Sequence, residues 1–197
     1  LSALAFLLFA FVAHLPSVHA LDVNLMNFLY TFDIQLFNIS FIPFIMWGSP
    51  QVVVPLFLLV SFTLYKKGEY KQAYLCLASL MIVVGIEFVL KNIFAIPKPA
   101  AESFISRFPI KWTVASYKAQ SSFPSGHAMR TVLLSFFMIS WIPEIGDRKP
   151  LKAALILIPL VTCFAAVYYG AHWASDVIAG AWLAFLAFSI CDKLVSS

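Results

Sequence analysis

The chain has 197 residues, of which 62% are hydrophobic and only 11% charged, with a mean hydropathy of +0.91. Such a composition argues strongly against a soluble globular fold and for segments that cross a bilayer. The formal charge of +4 and the pI near 9.0 arise from short basic clusters between apolar runs, a pattern of membrane topology rather than of nucleic-acid binding.

In chain order, six apolar segments stand out: roughly Leu1 to Val18, Gln51 to Tyr65, Ala73 to Ile96, Ser125 to Ile142, Ala153 to Gly170 and Trp173 to Leu194. Several reach the ~20 residues that a spanning helix needs. The first is expected to be a retained helix, although Val18-His19-Ala20 loosely resembles a small-residue cleavage site. After it, Leu21, Leu25, Phe28, Leu29, Phe32 and Leu36 recur at helical spacing beside Asp22, Asn24, Asp33 and Gln35, which predicts an interfacial amphipathic helix. The second segment is expected to start earlier than Gln51, near Phe41, with Pro43, Pro50 and Pro55 blurring its boundary. The expected fold is therefore all-α, a polytopic six-helix membrane bundle with one interfacial helix after the first span. No Gly/Ser linker, low-complexity run or internal repeat divides it, so residues 1–197 are expected to form a single domain. Cys76, Cys163 and Cys191 lie inside apolar segments without a CxxC pair and read as packing residues.

If six helices alternate, Lys66, Lys67 and Lys71 share one side with Arg148, Lys149, Lys152 and Lys193, which predicts cytoplasmic termini. Lys91, Lys98, Arg107, Lys111, Lys118 and Arg130 then gather on the outer face, against the usual bias, and require another explanation. The same alternation brings the end of the third segment and the starts of the fourth and sixth to that face. Lys91, His127 and His172 thereby reach one level, and ionisable groups at membrane depth are candidates for function.

Ser122-Phe123-Pro124-Ser125-Gly126-His127 ends a polar loop and opens the fourth segment. Ser125 suits an N-cap, and Gly126 would let backbone approach a ligand closely. The free amides and positive end of such a helix attract an anion, with His127 placed to exchange a proton. In the sixth segment His172 and Asp176 are one turn apart, so the carboxylate is expected to accept the Nδ1 proton and leave the other nitrogen as nucleophile. Lys91 closes the third segment, with Glu87 one turn before it as an ion-pair partner and Lys98-Pro99 beyond. Tyr168, Tyr169, Trp112 and Trp173 are expected in an interfacial aromatic belt. No His, Cys or carboxylate spacing forms a coherent metal-ligand set.

These residues resemble the motifs of the type 2 phosphatidic acid phosphatase superfamily, which also includes vanadium-dependent haloperoxidases. The first motif, Lys, six residues, Arg-Pro, is met by Lys91 and Lys98-Pro99, with lysine in place of arginine. The second, Pro-Ser-Gly-His, is intact at Pro124 to His127. The third, Ser-Arg, five residues, His, three residues, Asp, keeps His172 and Asp176 but has Ala165 and Ala166 where Ser-Arg belong. The resemblance implies a histidine mechanism with no metal or other cofactor. In it His172 attacks phosphorus, Asp176 supports it, His127 protonates the leaving oxygen, and Lys91, Lys98, Ser125 and Gly126 hold the phosphoryl group. Arg130, three residues after His127, is the candidate replacement for the missing third-motif arginine. The partners implied are a lipid phosphate or pyrophosphate substrate and the membrane lipids around it, with no nucleic acid. The expected location is a bacterial inner (plasma) membrane with the site facing the periplasm or exterior. A phosphotransferase using the same histidine, and a weakened lipid-phosphate binding or transport protein, remain open alternatives.

Overall fold

A computed structural model describes residues 2–32, 35–99 and 121–197. Arg107, Lys111, Trp112 and Lys118, together with Asp33 and the side chains of Gln35 and Leu36, lie outside the described residues. Those described form ten helices and no strands: α1 (Ser2–Val12), α2 (Pro16–Tyr30), α3 (Gln35–Ser40), α4 (Ile42–Trp47), α5 (Pro50–Lys66), α6 (Tyr70–Phe94), α7 (Gly126–Trp141), α8 (Pro143–Gly146), α9 (Lys149–Tyr168) and α10 (Ala174–Ser196).

Helices α6, α9 and α10 are each long and apolar enough to cross a membrane, and the number of spans rises to five if each of two bent pairs counts as one. Outward rows such as Leu58, Phe62, Met81, Phe88, Leu160 and Phe185 are exposed, as expected of surfaces that face hydrocarbon rather than water. The chain is an integral membrane protein of all-α architecture.

The N-terminal half departs from the six expected segments. The first does not continue to Val18 but ends at Val12, and α2 starts at Pro16 at 72° to it. Proline explains the break: it holds Leu15 extended at φ −67°, ψ 142° and opens the next helix without an amide hydrogen to satisfy. The 11 residues of α1 rise only about 16 Å, well short of a ~30 Å hydrocarbon core. Pro50 acts likewise, so that α4 and α5 meet at 47°. Helix α7, at 16 residues, is also shorter than a usual span.

In the C-terminal half the expected helices appear with shifted ends. Helix α6 stops where Ala95 turns left-handed at φ 44°, two residues before Pro97. Helices α7 and α10 pack along each other, and Gly180 makes this contact close: a Cβ there would lie 2.3 Å from the Ser125 carbonyl oxygen. A helix pair with glycine at the crossing brings backbone against backbone, which draws the start of α7 onto the first turns of α10.

Candidate active site

Three loop-to-helix junctions meet at one end of the bundle: the segment after α6, the start of α7 and the start of α10. Main-chain hydrogen bonds join them. Ser122 N donates to Ile96 O at 2.8 Å, and Ser125 N donates to Asp176 O at 2.9 Å. Trp173 Nε1 donates to Pro97 O at 2.9 Å. Ser125 caps α7 as expected, its hydroxyl accepting from Ala128 N at 3.4 Å.

The imidazoles of His127 and His172 face each other with ring centroids 5.7 Å apart, inclined at 62°. His172 is 4% exposed, and its Nδ1 lies 3.0 Å from the carbonyl oxygen of Ser122. A carbonyl only accepts, so Nδ1 carries the hydrogen and Nε2 presents a lone pair. Burial, reinforced by the Lys91 and Lys98 ammonium groups, drives the His172 pKa well below its ordinary value. The ring is therefore neutral at neutral pH. The orienting acceptor differs from the one expected. Asp176 Oδ2 stands 3.7 Å from Nδ1 and accepts instead from Trp173 N at 2.9 Å, so it acts on the imidazole through its field. The first turn of α10 drew the carboxylate to an unpaired amide, where the helix dipole also favours it.

Lys91 holds the loop before His127. Its Nζ donates to the carbonyls of Ser121 at 3.3 Å, Ser122 at 3.2 Å and Pro124 at 3.0 Å, with Glu87 Oε1 3.6 Å away. The other oxygen of Glu87 pairs with Arg130 Nη1 at 2.7 Å. One carboxylate thus bridges the two cations, and Arg130 is 7% exposed between α6 and α7. Gly126 makes this bridge fit: a Cβ there would lie 2.2 Å from Glu87 Oε1 and 2.5 Å from Arg130 Nη1. The space expected for a ligand at this glycine is filled by the ion pair. Lys98 is half-buried, and burial together with neighbouring Lys91 lowers its pKa to about 8. Ala165 and Ala166 are fully buried, and the Ala166 carbonyl accepts from Ala171 N at 2.9 Å and His172 N at 3.1 Å.

Two contributors escaped the sequence analysis. Asp22, expected on the polar face of an interfacial helix, is turned inward at 8% exposure and accepts from Ser175 N at 3.1 Å and Ser175 Oγ at 2.5 Å. Ser122 was expected only as part of the stretch that ends the loop, and its carbonyl proves to orient His172. Neither has a local signal, because each partner is far away in sequence. Tyr168 and Tyr169 are not belt residues: both are fully buried, with Tyr168 Oη donating to Asn38 Oδ1 at 2.9 Å and Tyr169 Oη to Asn38 O at 2.7 Å.

The geometry defines a membrane-embedded helical protein with a histidine pair set among buried cations. A family model described as the PAP2 superfamily matches residues 72–196, a stretch that includes every residue of the three junctions from Glu87 to Asp176. The chain belongs to the PAP2 superfamily. It is 21% identical over 146 residues to phosphatidylglycerophosphatase B of Bacillus subtilis (strain 168), covering 72% of this chain and 66% of that relative. Its fold is similar to the crystal structure described as the first transmembrane PAP2 type phosphatidylglycerolphosphate phosphatase from Bacillus subtilis. There the TM-score is 0.79 at 19% identity, with 98% of this chain and 93% of that one covered. The Aquifex aeolicus LpxE structure matches at a TM-score of 0.65 and 23% identity, over 88% of this chain and 95% of that one.

Proposed function

We propose that this protein is a membrane lipid phosphate or pyrophosphate phosphatase that works through a phosphohistidine. The observation that carries the reading is the His172 imidazole, tied through Nδ1 to Ser122 O and facing His127. Nε2 of His172 attacks phosphorus, the bond from phosphorus to the lipid oxygen breaks, and His127 delivers a proton to that oxygen. Asp176, 3.7 Å from Nδ1, stabilises the positive charge that the phosphorylated ring acquires. Water, deprotonated by His127, then cleaves the N–P bond and releases inorganic phosphate. The amides at the start of α7 and the ammonium group of Lys98 receive the phosphoryl oxygens, while Lys91, whose donors are taken by loop carbonyls, contributes its positive charge. Arg130 supplies the guanidinium that Ala166 lacks.

Phosphatidylglycerol phosphate is the first substrate to test, since it is the one named for the Bacillus subtilis relatives. Phosphatidic acid, a polyprenyl pyrophosphate and lipid A phosphates complete the panel. The purified protein is expected to release phosphate from at least one of them in the presence of a chelator, and His172→Ala to abolish release. Undiminished release by His172→Ala sinks the mechanism, and phosphate appearing on an acceptor lipid instead of in water reassigns the protein as a phosphotransferase. We further propose six spans with the site outside. A cysteine at Ser116 is expected to react with an impermeant reagent from outside the cell and one at Gly68 not to; the reverse labelling overturns this orientation.

A further inference from the structure

Helix α2 lies along the loop that carries His172. The His19 ring meets Trp173 edge-on, with centroids 5.0 Å apart. Asp22 holds Ser175 through both carboxylate oxygens, and Met26, 2% exposed, shares a buried apolar cluster with Ala171. The Tyr30 hydroxyl abuts Gly170, where a Cβ would lie 2.6 Å from it. These α2 positions are spaced three and four apart and so fall on one helix face. Their partners span Gly170 to Ser175, from the loop into the first turn of α10.

Only one of them is charged. The first turn of a helix offers amide hydrogens with no partner inside the helix, and its dipole favours negative charge. At the start of α10 two carboxylates answer this: Asp176 from the helix itself, on Trp173 N, and Asp22 from α2, on Ser175 N and Oγ. The second is the informative one. An Asp on a helix whose other face is apolar and exposed at Leu21, Leu25 and Phe28 is buried at 8% exposure, 153 residues from its partner.

We propose that Asp22 is a positioning residue for His172: by fixing the first turn of α10 from α2, it sets the imidazole against His127. The consequence for turnover rests on the phosphatase reading; the consequence for the geometry of His172 does not. A misplacement of reacting groups by about an ångström costs up to ~100-fold in rate. Asp22→Ala therefore lowers kcat by about 10- to 100-fold while KM stays within about twofold, the signature of lost alignment rather than lost binding. Asp22→Asn is isosteric, and its carbonyl oxygen still accepts from the Ser175 amide, so it loses less and keeps the test open if the alanine variant does not fold. Adding Ser175→Ala to Asp22→Ala causes no further loss, because both remove the same contact. Unchanged kcat in both Asp22 variants, a loss confined to KM, or additive losses in the double variant overturns the proposal.

A second measurement needs no turnover. The rate at which diethyl pyrocarbonate acylates His172, resolved by mass spectrometry, is expected to rise in Asp22→Asn over the parent. Equal rates overturn the clamp. If the parent releases no phosphate yet the rates differ, the phosphatase reading fails and the clamp stands.

Discussion

The chain makes the same ion pair at two ends of the molecule, and the two pairs behave differently. Lys67 and Glu144 meet at the end away from the histidines, with side chains 35% and 61% exposed. The hydrogen bond from Lys67 holds the Glu144 carboxyl below its usual range, but solvent and salt screen such a pair. Lys91 and Glu87, 22% and 13% exposed, sit where screening is weak. There each partner has acquired further duties: Lys91 gathers three loop carbonyls, and Glu87 takes Arg130 as a second cation. Burying a charge costs less the more of its hydrogen-bonding capacity is met. Burial therefore converts an ion pair into a network with a fixed shape, while exposure leaves it a pair.

The largest effect expected from this contrast is at Arg130. Arg130→Ala removes the guanidinium and lowers phosphate release by ~10² or more, the usual scale for a lost oxyanion donor. Arg130→Lys recovers part of it, since a point charge does not reproduce a planar fork. Ala166→Arg in the Arg130→Ala background is expected to restore release. Parent-level activity in Arg130→Ala would remove Arg130 from the site altogether. Next comes Gly126→Ala, whose methyl group displaces the Glu87–Arg130 pair. Because the atoms it meets are the ends of long side chains, the melting temperature should change little while kcat falls about tenfold; a normal kcat would show that the pair moves without consequence.

A smaller and pH-dependent effect follows from Lys98. With its pKa lowered to about 8 by burial and Lys91, the ammonium is present below pH 8 and lost above it, and its attraction for phosphate goes with it. The parent kcat/KM should fall as pH rises through 8, whereas Lys98→Arg, charged throughout, should move that fall to higher pH. Coincident alkaline limbs would place Lys98 out of reach of the substrate. The smallest effect belongs to the exposed pair: Glu144→Gln is expected to leave both kcat and melting temperature at parental values. A measurable loss there would break the distinction between the two ends.

The sequence carried the helical frame best where apolar segments are long, even across Pro159 inside α9. Helices α6, α9 and α10 lie within four residues of the expected ends, because apolar length and stop signals such as Pro97 act locally. The N-terminal half was harder to anticipate. Pro16 was visible, yet its effect, a 72° bend, depends on what α2 packs against. At the site, the spacing of His172 and Asp176 was legible, but the competition for Asp176 by the Trp173 amide was not. Likewise Glu87 reads as a partner of Lys91 four residues on, while its contact with Arg130, 43 residues away, exists only once α6 and α7 are side by side. Long-range partners of polar groups are set by packing, and packing is what periodicity leaves unstated.

The bend between α4 and α5 also bears on His127. Gly48 sits at that bend, and a Cβ on it would lie 2.9 Å from His127 Cδ2, 3.0 Å from His127 Cβ and 3.0 Å from Thr162 Cγ2. The imidazole therefore has main chain pressed against one flank, and its rotation about the Cα–Cβ bond is blocked in that direction. A break between two helices, which looks like a flaw in an apolar run, here acts as a mechanical stop for a side chain.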